Sequence, residues 1–126
     1  MKRYDPLEAP EAQEWLALDE QERIDLVLNY HRKARIRLPN AKVHAIIHAM
    51  VETQIALGDE TPARRAVQRL INEDLDRHEA IHAIGWVLIE FMSDLMDEPE
   101  SCAEPNAPYF AALEQLTAED WRRAAQ

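Results

Sequence analysis

Apolar residues recur three and four positions apart along almost the whole 126-residue chain, and no stretch of five or more alternates cleanly between apolar and polar. The first spacing stacks side chains on one face of a helix, whereas a half-buried strand needs a period of two. The pattern therefore predicts an all-α fold, a compact bundle of about five main helices with a C-terminal helical appendage. With only 2 glycines against 7 prolines, the breaks between helices must be made by proline and by capping side chains.

Those breaks are readable. Glu11 to Ala17 makes a brief helix carrying Trp15 and Leu16. Asp19 and Glu22 have capping-box spacing and start a second helix to about Arg35, with Ile24, Val27, Leu28 and His31 inward. Asn40 caps a third helix from about Ala41 to Leu57, stopped by Gly58. Thr61-Pro62 opens a fourth that ends near Glu73. Asp74 and Leu75 form a tight joint, and Asp76 caps a long fifth helix from Arg77 to about Asp97. Its apolar ridge includes Ile81, Leu88, Met92 and Leu95, and it is expected to be the central element. Residues 1–97 are read as the bundle core, 98–108 as an acidic, proline-containing linker, and 109–126 as a helical tail packed on the bundle or on a partner. The tail carries Tyr109, Phe110, Leu113, Leu116 and Trp121.

Charge and composition remove several functions. With 24 acidic against 14 basic residues the formal charge is −10, which repels nucleic acid and anionic lipid. The longest nearly uncharged apolar stretch, Ala80 to Ile89, is half a bilayer span, so no membrane segment is expected. Two glycines cannot build a phosphate-cradling loop, and the serine nucleophiles are limited to Ser93 and Ser101. A lone cysteine, Cys102, and a polar start without a secretory apolar run point to the cytoplasm. Cys102 sits among acidic residues that disfavour a thiolate, so it is read as incidental.

The chemically informative feature is histidine placement. Four of the five histidines form two i, i+4 pairs, His44 with His48 and His78 with His82, and each pair falls in the apolar stripe of its helix. Short joints on either side of the fourth helix predict that the third and fifth run parallel, which brings the four imidazoles to one height. Neutral imidazoles so gathered suit a divalent transition metal, zinc first, with iron or nickel behind it. Glu52, one turn beyond His48, is an additional ligand or a partner that orients an imidazole. His31 is a further donor. An open site would activate water for hydrolysis, and a closed one would be structural.

Two motif readings are weaker. His78-Glu79-Ala80-Ile81-His82 matches the H-E-x-x-H of zinc peptidases, with Glu79 as general base, but no strand and no distinct third ligand accompany it. A ferritin-like di-iron site needs two Glu-x-x-His elements, and only Glu79 to His82 provides one. The contrasting expectation is a non-enzymatic interaction protein. In it Glu52, Asp76 and Glu79 satisfy core histidines by hydrogen bonds, and the acidic surface or aromatic tail meets a protein partner or a second copy. The basic residues Arg32, Lys33, Arg35, Arg37 and Lys42, and Arg64, Arg65 and Arg69, are read as solvated faces. Trp86, Phe91, Met92 and Met96 are read as core.

Pro39-Asn40, His44 to His48, Glu52-Thr53-Gln54 and Arg77-His78 to His82 together resemble a set of small uncharacterised bacterial helical proteins carrying H-x-x-x-H, E-x-Q and R-H-x-x-x-H. The likeness spans roughly Leu38 to Glu90. It implies a bacterial origin and a helical fold, and no catalytic role.

Overall fold

The computed structural model describes every residue except 2, 35–39, 98–105 and 125–126. Arg35, Arg37, Leu38-Pro39, Ser101, Cys102 and most of the 98–108 linker lie outside the described residues. Among those described there are seven α-helices and no strand.

Local chemistry sets the helix ends. Helix α1, Ala12–Ala17, ends where Arg23 donates to the carbonyls of Trp15 and Leu16 at 3.1 and 2.9 Å. Helix α2, Glu20–Lys33, begins in a complete Asp19/Glu22 capping box, which satisfies two otherwise orphaned N–H groups. Helix α3, Ala41–Ala56, starts at Asn40, whose side chain accepts from the Val43 N–H. A short 3-10 turn, Gly58–Glu60, follows, with Gly58 at φ +67°, where a side chain would be strained. Helix α4 is Ala63–Asn72, one residue later than the Thr61-Pro62 signal places it, because Thr61 Oγ1 accepts from the Ala63 N–H and donates to the Gln54 carbonyl. Asp74, at φ +77°, turns the chain into helix α5, Arg77–Asp97, which Asp76 caps through the Glu79 N–H at 2.8 Å. Helices α6, Ala107–Gln115, and α7, Ala118–Ala124, complete the chain.

Two apolar clusters form the interior. One gathers Tyr4, Trp15, Ile24, Val27, Ala45 and Ala49 from the N-terminal segment, α1, α2 and one side of α3. The larger gathers Ile47, Val51 and Ile55 from the other side of α3 with α4, α5 and the tail. The element shared by both is α3, not the longer α5. The last third of α5 departs from the core pattern: Met92 and Met96 are exposed, the latter by 82%, so the methionine ridge read as core lies in solvent.

The tail packs on its own chain. Tyr109, Leu113, Leu116 and Ala118 are buried in the larger cluster, and the Arg69 guanidinium reaches the Leu113 and Leu116 carbonyls at 2.6 and 2.9 Å. Trp121 stacks obliquely beside Trp86, and its indole N–H donates to Glu79 at 2.8 Å. Of the two expected placements of the tail, on the bundle or on a partner, the structure shows the first.

The parallel alignment of α3 and α5 is overturned. Glu52, late in α3, holds Arg77 at the start of α5, whereas Ile47, earlier in α3, meets Gly85 further along α5. Contacts that move in opposite directions along two helices belong to a pair that runs antiparallel where it touches. Helix α4, 10 residues and about 15 Å long, does not carry the chain back along the roughly 24 Å of the 16-residue α3, so α5 starts beside Glu52. The turn at Asp74 then sends α5 past the histidines against the direction of α3. At the crossing a Cβ on Gly85 would lie 3.1 Å from Ile47 Cγ2, so a bare backbone at this position keeps the helices close.

Candidate metal centre

All five histidines meet at this crossing. His31 comes from α2, His44 and His48 from α3, and His78 and His82 from α5. One ring nitrogen from each lies within 4.8 Å of all the others. Ring centroids are 4.3 Å apart for His78 and His82, 4.8 Å for His44 and His82, 4.8 Å for His31 and His44, and 5.3 Å for His48 and His78. The four paired histidines come together as their spacing implied, and His31 joins them because it follows Val27 by one turn on the buried face of α2.

Each ring presents one buried nitrogen without a hydrogen-bond partner: Nε2 of His31, His44, His78 and His82, and Nδ1 of His48. Hydrogen bonds decide which nitrogen faces inward for two of them. His31 Nδ1 lies 2.9 Å from the Val27 carbonyl, which can only accept, so Nδ1 carries the proton and Nε2 the lone pair. His48 is reversed. The Tyr4 hydroxyl donates its single proton to the Glu52 carboxylate, so it must accept from His48 Nε2–H at 2.7 Å, which leaves the lone pair on Nδ1.

Glu52 is itself fixed. It is 1% exposed, and Arg77, 8% exposed, grips both of its oxygens at 2.7 Å while also donating to the Pro6 carbonyl at 2.9 Å. Burial works against charge on Arg77, but the paired carboxylate outweighs it and raises the guanidinium pKa. Burial, reinforced by Glu52, likewise pushes the Tyr4 phenol upward and keeps it protonated. The result is a chain of donors, Arg77 to Glu52 from one side and His48 through Tyr4 to Glu52 from the other. With its oxygens committed to Arg77 and Tyr4, Glu52 is turned away from the role of additional ligand and orients His48 instead.

Electrostatics keep the rings available. Burial, followed by the neighbouring imidazoles, lowers His44 to about 4 and His82 to about 3. Burial and the same neighbours take His48 well below its ordinary value. His78 is lowered too, chiefly by burial and His31, against the opposing pull of Asp76, Glu79 and Asp5. These four rings are neutral bases at physiological pH, the form that binds metal.

The other expected partners are occupied elsewhere. Asp76 caps α5 and Glu79 is exposed and hydrogen-bonded to Trp121, so among the described residues neither accepts from an imidazole. Glu79, the general base of the H-E-x-x-H reading, is not among the clustered donor atoms and holds the Trp121 indole N–H at 2.8 Å.

Tyr4, Tyr30 and Arg77 were not singled out from the sequence as site residues. Tyr4 and Tyr30 wall the cluster by edge-on packing, Tyr4 against His48 at 5.4 Å and Tyr30 against His31 and His78 at 5.2 and 5.6 Å. Compared with known proteins, the chain matches no family model, and no curated protein or solved structure matches it.

Proposed function

We propose that the protein binds one divalent transition-metal ion through His31, His44, His48, His78 and His82. The observation that carries this reading is the convergence of five buried, unpartnered imidazole nitrogens within 4.8 Å. A buried polar atom without a partner costs about 1–3 kcal/mol, so five together rival the whole stability of an ordinary domain, about 5–15 kcal/mol. A hydrogen-bond network among core histidines leaves that cost standing, since Glu52, Asp76 and Glu79 are engaged elsewhere. An ion removes it. Metal–nitrogen bonds of about 2.0–2.1 Å put opposite donors roughly 4 Å apart, so small ring movements bring all five donors onto one ion.

The donor count bears on identity. Zinc, expected from four histidines, ordinarily takes four ligands. Five neutral nitrogens suit an ion that accepts five or six, such as iron(II), cobalt(II) or nickel(II). With five positions filled by protein, a six-coordinate ion retains one for water, the arrangement that metal-assisted hydrolysis requires. The bacterial kinship suggested by the H-x-x-x-H and R-H-x-x-x-H pattern belongs to the same reading.

Elemental analysis of tag-free protein tests the proposal. About one equivalent of a first-row metal per chain is expected, with loss of metal in both His48→Ala and His82→Ala. Protein that neither carries nor takes up metal, with both variants merely less stable, would overturn it.

A further inference from the structure

We propose that the centre takes a small monodentate anion as its exogenous ligand. This rests on the metal reading above and names what the remaining coordination position receives. Three features of the chain converge on it.

The first is charge. Imidazole ligates through an uncharged nitrogen and brings no negative charge, so an ion held by these five rings keeps its full double charge in a largely apolar crossing. The nearest buried carboxylate, Glu52, is already neutralised by Arg77. Asp5, Asp76 and Glu79 act on His78, but all three are exposed and screened by water. An exogenous anion is the remaining means of lowering the charge at the ion.

The second is the backbone field. His44 and His78 lie in or next to the first turns of α3 and α5; the Asp76 carboxylate already caps the α5 end, whereas the α3 end, capped by the neutral Asn40, keeps its partial positive charge beside the cluster. That field disfavours a cation alone and favours a cation with an anion beside it.

The third is access. His31 and His48 are 4% and 2% exposed, whereas His44, His78 and His82 are half-buried, so solvent approaches past those three rings. Their facing nitrogens are themselves buried in the metal-free protein. A ligand reaches them through small movements of these three half-buried rings, which admit an ion of a few atoms on the scale of hydroxide, azide or cyanide and not a peptide or sugar.

Azide and cobalt(II) provide the test. Tag-free protein is loaded with one equivalent of cobalt(II), and its visible spectrum is followed during azide titration at constant ionic strength set with sulfate. The expected result is a saturable change at one azide per cobalt. Cobalt bound at one equivalent with a spectrum unmoved by azide would overturn the anion proposal while leaving the metal reading intact. Failure of cobalt to bind would overturn both. His44→Asp supplies the charge test: replacing a neutral donor by an anionic one should weaken azide binding by on the order of tenfold or more. Unchanged azide affinity in a variant that still holds cobalt would refute the charge argument and with it the proposal.

Discussion

At the scale of single residues, the centre depends on a side chain that offers it no ligand atom. Tyr4 connects His48 to Glu52 and thereby decides that His48 offers Nδ1. Tyr4→Phe removes that bond while Arg77 still holds both Glu52 oxygens, so the fold should survive. Metal affinity should fall roughly 10–100-fold, as is usual when a partner of a ligating histidine is lost, measured by competition with a chromophoric chelator. Glu52→Gln acts differently, because it leaves a buried guanidinium without its counter-charge. It should destabilise the metal-free protein by about 3–5 kcal/mol, read from urea unfolding. The i, i+4 spacing made the four paired histidines visible in sequence, and His31 followed from its place on an apolar stripe. Tyr4 was not visible, because it sits in the non-helical lead before α1 and meets its partners 44 and 48 positions away. Arg77 read only as the first residue of a helix for a similar reason: no local pattern reports a bidentate partner 25 positions earlier.

At the scale of elements, the decisive contact is the crossing of α3 over α5. Gly85 already leaves only 3.1 Å between a notional Cβ and Ile47. A large side chain there must push the two helices apart and separate the His44/His48 ladder from the His78/His82 ladder. Gly85→Leu should therefore retain far-ultraviolet helicity yet lose at least about tenfold in metal affinity, in line with the sensitivity of packed helix contacts to added volume. Full metal affinity in that variant would show that the crossing does not set the centre. The ends of α2, α3, α4 and α5 were legible to within a residue or two, because Asp19, Asn40, Gly58 and Asp76 act locally; α6 begins at Ala107, inside the segment read as linker. The crossing was not legible. It depends on where the ten residues of α4 deliver the chain and on how the Asp74 joint then turns it, neither of which spacing rules report.

At the scale of the whole molecule, the depressed imidazoles link stability to pH. Folding lowers His44 from 6.5 to about 4 and His82 from 6.5 to about 3. Above pH 6.5 neither the folded nor the unfolded chain protonates these rings, and their contribution is complete. As the pH falls below 6.5, the unfolded chain takes up protons that the folded state refuses. Stability should thus decline through the window from 6.5 down to about 4 and 3. Urea midpoints of metal-free protein between pH 8 and 4 check the sign, and a midpoint that rises on acidification would contradict it. Metal should act in the other direction. At a free concentration 100 times its dissociation constant it should add about 2.7 kcal/mol, and the melting temperature should rise accordingly. The acidic balance and the all-helical class were plain from composition and periodicity. The two-cluster interior was not, because α3 is apolar nearly all round and gives no sign of which side meets which neighbour.

The reversed ring of His48 carries a spectroscopic consequence. Long-range proton–nitrogen correlations of the metal-free protein should display opposite tautomers for His31 and His48, the first with its hydrogen on Nδ1 and the second on Nε2. Four residues apart in chain number from His44, His48 would then serve as an internal reporter: its cross-peak pattern inverts only while the phenol at position 4 remains seated.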